Sequence, residues 1–153
     1  MNEYKNEIKI IVNTLKNGGV LLYPTDTIWG LGCDIFNEAA VDKIFKIKKR
    51  SKDKGFVLLV SDKEMLAQYV TRVHPRIDSL NDFHKRPVTV IYNHPVNLPA
   101  FLLSDDGSIA IRIVKDEFCQ DFISAFGKPI ISTSANISGQ AFPASFSEIN
   151  GSI

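Results

Sequence analysis

Short apolar runs separated by amphipathic stretches and turn residues set the architecture open to this 153-residue chain. Val20-Leu21-Leu22-Tyr23, Phe56 to Val60, Val88 to Tyr92, Ile109 to Ile113 and Pro129 to Ser132 are too short for helices and read as strands. Between and before them lie helical patterns. Ile8, Ile11, Val12 and Leu15 recur at helical spacing until Gly18-Gly19. Asn37 is placed to cap a second helix, with Val41, Ile44 and Phe45 on its inner face. Ser61 and Glu64 form a capping-box pattern for a third. Phe118, Phe122 and Phe126 make a last stripe, ended by Gly127. Strands interleaved with helices predict an α/β sheet covered by helices, and the length fits one domain over 1–153.

Function classes narrow next. No apolar run approaches the roughly 20 residues that span a bilayer, and residues 1–17 alternate charge with apolar residues as an amphipathic helix does. Both observations predict a protein without a membrane partner. Cys33 and Cys119 have no metal-ligand or CxxC spacing, and isolated thiols predict a reducing, cytoplasmic setting. No site for a bound metal is expected. The formal net charge is +1, but residues 43–54 hold seven Lys/Arg and one Asp, a local +6 against −5 elsewhere. Such a patch suits a small anionic ligand better than a long polyanion; a solvated helix face is the plainer alternative.

Three segments are candidates for chemistry. Tyr23-Pro24-Thr25-Asp26-Thr27 and Trp29-Gly30-Leu31-Gly32-Cys33-Asp34 follow a strand, the usual place for ligands in α/β sheets, and glycines there admit close backbone approach. Lys48, Arg50 and Lys54 offer a guanidinium fork and two point charges to phosphates; compensation of a helix C-terminus is the alternative. Ser132 to Gly139 is a polar loop leaving an apolar strand, able to form an anion nest. P-loop, GxGxxG, HExxH and GxSxG patterns are absent, and His74, His84 and His94 read as surface residues.

In order, YPTDT-x-WGLGCD, IKKRSKDK, PVTV, IAIRI and PIISTSANISG resemble the YrdC/Sua5 (TsaC-like) family over about residues 8 to 140. The resemblance implies a twisted, mixed α/β sheet with flanking helices around a positively charged cavity. It implies condensation of L-threonine, bicarbonate and ATP to L-threonylcarbamoyladenylate and pyrophosphate, with Mg2+ on the nucleotide. The product would pass to the tRNA threonylcarbamoyl transferase complex. The family's basic pair falls on Lys48 and Arg50, which are expected to be catalytic. Arg50, Lys54, Ser108, Ser134 and Asn136 are the expected ATP set, and Thr27, Arg112 and Ser132 the L-threonine set. Double-stranded RNA binding and a carbamoyl-adenylate paralogue are the alternative functions.

The sequence also departs from the family pattern. Lys49 stands where a Gly is usual, Ser51 and Gly55 stand for prolines, Arg86 for a Gly and Val114 for a Pro. The pattern normally continues beyond the position of Ile153 through another strand, so either a piece of a longer protein or a cavity open on one side is expected.

Overall fold

The apolar runs do form strands, and a strand that alternation did not announce joins them. In the computed structural model, which describes residues 4–25, 27–51, 55–149, 151 and 153, the strands are β1 (Leu21–Pro24), β2 (Trp29–Asp34), β3 (Val57–Val60), β4 (Thr89–Tyr92), β5 (Ile109–Ile113) and β6 (Ile130–Ser134). They make one mixed sheet in the order β1-β2-β6-β3-β5-β4. Only β3 and β5 pair in parallel; the other neighbours are antiparallel. The helices are α1 (Lys5–Lys16), α2 (Glu38–Lys48), α3 (Lys63–Ala67), α4 (Pro75–Phe83) and α5 (Glu117–Phe126). No helix of the described residues is long and apolar enough to cross a membrane.

The helix signals mostly act as the sequence predicts. Asn37 caps α2 by accepting from the Ala40 N–H at 3.0 Å. Gly127 ends α5 in the left-handed region at φ 77°, where a side chain is disfavoured. Leu15, Ile44, Phe122 and Ile123 are fully buried in one core with the strand residues Leu58, Ile130 and Ile131. Cys33 and Cys119 are buried and not joined in a disulfide. His74, His84 and His94 are exposed.

Three local readings are corrected. The cap of α3 is Asp62, not Ser61: Asp62 Oδ1 accepts from the Met65 N–H at 2.7 Å, and the Ser61 hydroxyl donates to Asp62. An ionised carboxylate is the stronger acceptor. Helix α4 is an addition. It has Pro75 at its start and a His74 cap, but among its residues only Asn81 is buried, so it carries no apolar stripe to read. The glycine-punctuated segment 29–34 is not a loop but strand β2, buried along nearly its whole length.

The glycines of β2 have a packing reason. Tyr23 is the cross-strand partner of Gly30, and Ser132 on β6 is the partner of Gly32. The Tyr23 ring crosses β2 over these two positions. A Cβ on Gly32 would lie 2.9 Å from Tyr23 Cε1 and 2.8 Å from the Ile131 carbonyl oxygen, both too close to hold. An aromatic ring laid over strand glycines also covers backbone that would otherwise be bare.

Candidate functional site

One face of the sheet gathers the site. In-register pairs share a face of a sheet, so Gly30 with Ser134, Val57 with Ser132, and Leu59 with Arg112 point to the same side. A cavity of ≈ 260 Å³ opens there. Its wall includes Thr27, Arg50, Arg112, Ser132 and Ser134. Expectations drawn from segments at least 20 residues apart thus meet on one surface.

Each of these side chains is held by its own element. Thr25 knots the turn between β1 and β2: its Oγ1 donates to the Ile28 carbonyl at 2.6 Å and accepts from the N–H groups of Thr27 and Ile28 at 3.1 Å. That knot carries Thr27 to the wall. Arg112 Nε donates to Thr89 Oγ1 at 2.8 Å, across the β4–β5 pair in which the two residues are direct partners. The guanidinium is thereby oriented with its terminal nitrogens left for other contacts. Arg50 donates to the Gly55 carbonyl at 2.6 Å and to Thr133 Oγ1 at 3.2 Å, and its guanidinium lies 5.2 Å from the Phe56 ring centre. Ser132 Oγ accepts from the Tyr23 hydroxyl at 2.8 Å.

Three members of the expected set stand behind the wall rather than on it. Lys48 is only 2% exposed. Its ammonium donates to the Ser134 carbonyl at 2.5 Å, the Asn136 carbonyl at 2.7 Å and Asn136 Oδ1 at 3.3 Å. The Lys48 carbonyl in turn accepts from the Ser138 N–H at 2.9 Å. Burial first, and the nearby Arg50 charge second, push the Lys48 ammonium down to about 8. Asn136 is buried and closes the same loop: its Nδ2 donates to the Gln140 carbonyl at 2.7 Å, while Ser134 Oγ donates to its Oδ1. Ser108 is buried too, its hydroxyl donating to Asp106 Oδ1 at 2.6 Å, and it does not line the cavity. Lys54 lies outside the described residues. The polar segment expected as a loop from Ser132 therefore begins as strand, since β6 runs to Ser134, and then turns into a clasp built on Lys48.

Sequence reasoning missed several contributors. Thr89 orients Arg112 only through strand register, which no spacing along the chain reveals. Tyr23 was in view as part of the Tyr-Pro-Thr segment, but only the Gly30 and Gly32 gap tells that its hydroxyl reaches β6. Asp116 and Cys119 reach the wall from the start of α5. Asp116 is the acidic residue among the described lining and already accepts from the Cys119 N–H at 2.9 Å. Among the described residues no group of three or more His, Cys, Asp or Glu is disposed to hold a metal ion.

Known proteins resemble this chain in sequence and in fold. The sequence pattern of the Sua5_yciO_yrdC family, described as "Telomere recombination", matches residues 13–153. A threonylcarbamoyl-AMP synthase of Pseudoalteromonas translucida (strain TAC 125) is 34% identical over 147 residues, covering 94% of this chain and 79% of the relative. One from Coxiella burnetii (strain RSA 331 / Henzerling II) is 33% identical over 141 residues, covering 92% and 76%. The solved structure of P. abyssi Sua5 complexed with L-threonine superposes with a TM-score of 0.84 at 26% identity, over 94% of this chain. The chain spans 42% of that Sua5's length.

Proposed function

This chain belongs to the Sua5/YciO/YrdC family, and on that premise we propose that it is a threonylcarbamoyl-AMP synthase, joining L-threonine, bicarbonate and ATP with release of pyrophosphate. The observation that carries the reading is the meeting of Thr27, Arg112 and Ser132 with Arg50 and Ser134 around one cavity. A guanidinium fork and two hydroxyls suit an amino acid carboxylate and hydroxyl; a second guanidinium with Ser134 suits phosphate oxygens. The name shared by the relatives and the L-threonine complex of a Sua5 support the same assignment.

In this reading bicarbonate takes up a proton and loses water to give CO2, and the neutral L-threonine amine captures the CO2 as a carbamate, releasing a proton, so the two proton transfers cancel. A carbamate oxygen then attacks the α-phosphorus, the bond to the β-phosphate bridging oxygen breaks, and pyrophosphate leaves. Positioning and charge neutralisation carry most of such a transfer. Arg112, held by Thr89, orients the amino acid; Arg50 neutralises phosphate charge. Lys48 and Asn136 act one layer back, fixing the segment that presents Ser134. Mg2+ arrives with ATP as part of the substrate, held by phosphate oxygens and water. A cytoplasmic site of action and delivery of the product to the tRNA threonylcarbamoyl transferase complex complete the proposal.

Mass spectrometry of products formed from ATP, L-threonine and bicarbonate tests it. The threonylcarbamoyl adenylate should appear only when all three are present. A carbamoyl adenylate without threonine, or salt-sensitive RNA binding with no product, would assign a different function.

A further inference from the structure

Tyr23 is one of the more deeply buried polar side chains, 2% exposed, and nothing in the proposed chemistry uses it directly. Its ring is fixed on two sides. Phe122 packs edge-on at 5.5 Å between ring centres, and Phe118 backs Phe122 at the same separation. On the sheet side, Gly30 and Gly32 leave the gap through which the ring reaches across β2. At these two positions β2 carries no side chain, and the phenol emerges at Ser132 Oγ, 2.8 Å away.

The polarity of that hydrogen bond follows from what each group has left. Burial raises the phenol's pKa well above its ordinary value of 10.0, outweighing the opposing effect of the Ser132 hydrogen bond, so Tyr23 keeps its proton at any working pH. Among the described residues Ser132 is the acceptor for that proton. Were the roles reversed, a buried O–H would have no acceptor, which is the costlier arrangement. A serine hydroxyl that accepts still has one proton to donate. No other side-chain bond of Ser132 occurs among the described residues, and Ser132 lies on the cavity wall.

We propose that Tyr23 is a positioning residue that commits the Ser132 hydroxyl to donate into the cavity, toward an anionic oxygen of the amino acid substrate. The inference rests on the reading of Thr27, Arg112 and Ser132 as the L-threonine site. A hydroxyl free to rotate would offer a donor only part of the time, whereas one whose lone pair is taken by Tyr23 meets a carboxylate or carbamate oxygen with its proton already turned outward.

The experiment is a double-mutant cycle on Tyr23→Phe and Ser132→Ala, read as KM for L-threonine at saturating ATP and KM for ATP at saturating L-threonine. Tyr23→Phe keeps the ring and should weaken L-threonine about fivefold to tenfold, the size of one lost hydrogen bond, with KM for ATP within about twofold. Adding Tyr23→Phe to Ser132→Ala should cost nothing more. An unchanged KM for L-threonine in Tyr23→Phe, or additive losses in the pair, would overturn the role of Tyr23 while leaving the L-threonine site intact. If Ser132→Ala itself leaves L-threonine binding untouched, the site placement fails and the proposal with it. A measurement on the unmutated protein guards against a variant that does not fold. With tyrosine labelled at 13Cζ, the Tyr23 line, assigned by elimination with Tyr4→Phe, Tyr69→Phe and Tyr92→Phe, should move on saturation with L-threonine. A stationary line would refute the coupling.

Discussion

Replacing Lys48 by Met separates two roles that a basic residue near a nucleotide site can have. Met follows the aliphatic stem through the same channel and adapts to its shape, but it donates nothing. Two backbone carbonyls, those of Ser134 and Asn136, then lose a donor, while Asn136 Oδ1 keeps the Ser134 hydroxyl. Buried acceptors left unmade cost about 1–3 kcal/mol each. Against this stands relief from burying an ammonium, and the lowered pKa of Lys48 shows that its surroundings disfavour the charge, so the relief offsets part of the loss. Taking the middle of the range for each carbonyl and an offset of about half the sum, Lys48→Met should destabilise by about 2 kcal/mol. With an m-value of about 1–3 kcal/mol/M, the urea midpoint falls by about 0.7–2 M. Hydrogen exchange should speed up first in residues 134–140, which the clasp holds. The reasoning is wrong if Lys48→Met melts like the unmodified protein yet loses activity. That pair of results would place the ammonium on the substrate rather than on the loop.

Three further outcomes are expected. Lys49 sits at φ 49° in the left-handed region, closing α2, where Gly is at ease and a Cβ is not; Lys49→Gly should stabilise by about 1 kcal/mol, a rise of roughly 2–4 °C in Tm. Arg50→Ala should nearly abolish pyrophosphate release and Arg50→Lys should lower it clearly, because the ammonium keeps the charge but loses the fork; thermal melts of both variants should show that the loss precedes unfolding. Burial, then the Asp34 charge, push the Cys33 thiol up to about 12 against an ordinary 9.0. The native thiol therefore holds a proton that the unfolded chain releases, and its contribution is complete below pH 9 and lost as pH rises toward 12. The unfolding free energy of the unmodified protein minus that of Cys33→Ala, measured by urea titration, should fall across that window.

Much of the sheet was legible because the signals were local. Val57–Val60, Thr89–Tyr92 and Ile109–Ile113 are strands within a residue of where composition puts them, and Asn37 and Gly127 end their helices by chemistry that needs no tertiary partner. Strand β2 was not legible for a reason that bears on function. Half of its alternation is glycine, and glycine reads as flexibility until the Tyr23 ring that fills the space is known. The same holds for the site. Spacing along the chain and family resemblance bring Thr27, Arg50, Arg112 and Ser132 to one cavity, but they do not distinguish a side chain on the wall from one that holds the wall in place. Lys48 and Arg50 are two residues apart, equally basic and equally conspicuous in the sequence, yet one is buried against the carbonyls of Ser134 and Asn136 and the other lies on the cavity wall. The left-handed turn at Lys49 divides them: α2 ends there, so Lys48 stays on the buried face of the last helical turn while Arg50 leaves on the new direction of the chain. A residue at position 49 that resisted the left-handed conformation would shift both at once. Loss of activity on such a change would then come with loss of the clasp, whereas Lys49→Gly, which eases the turn, should leave pyrophosphate release intact.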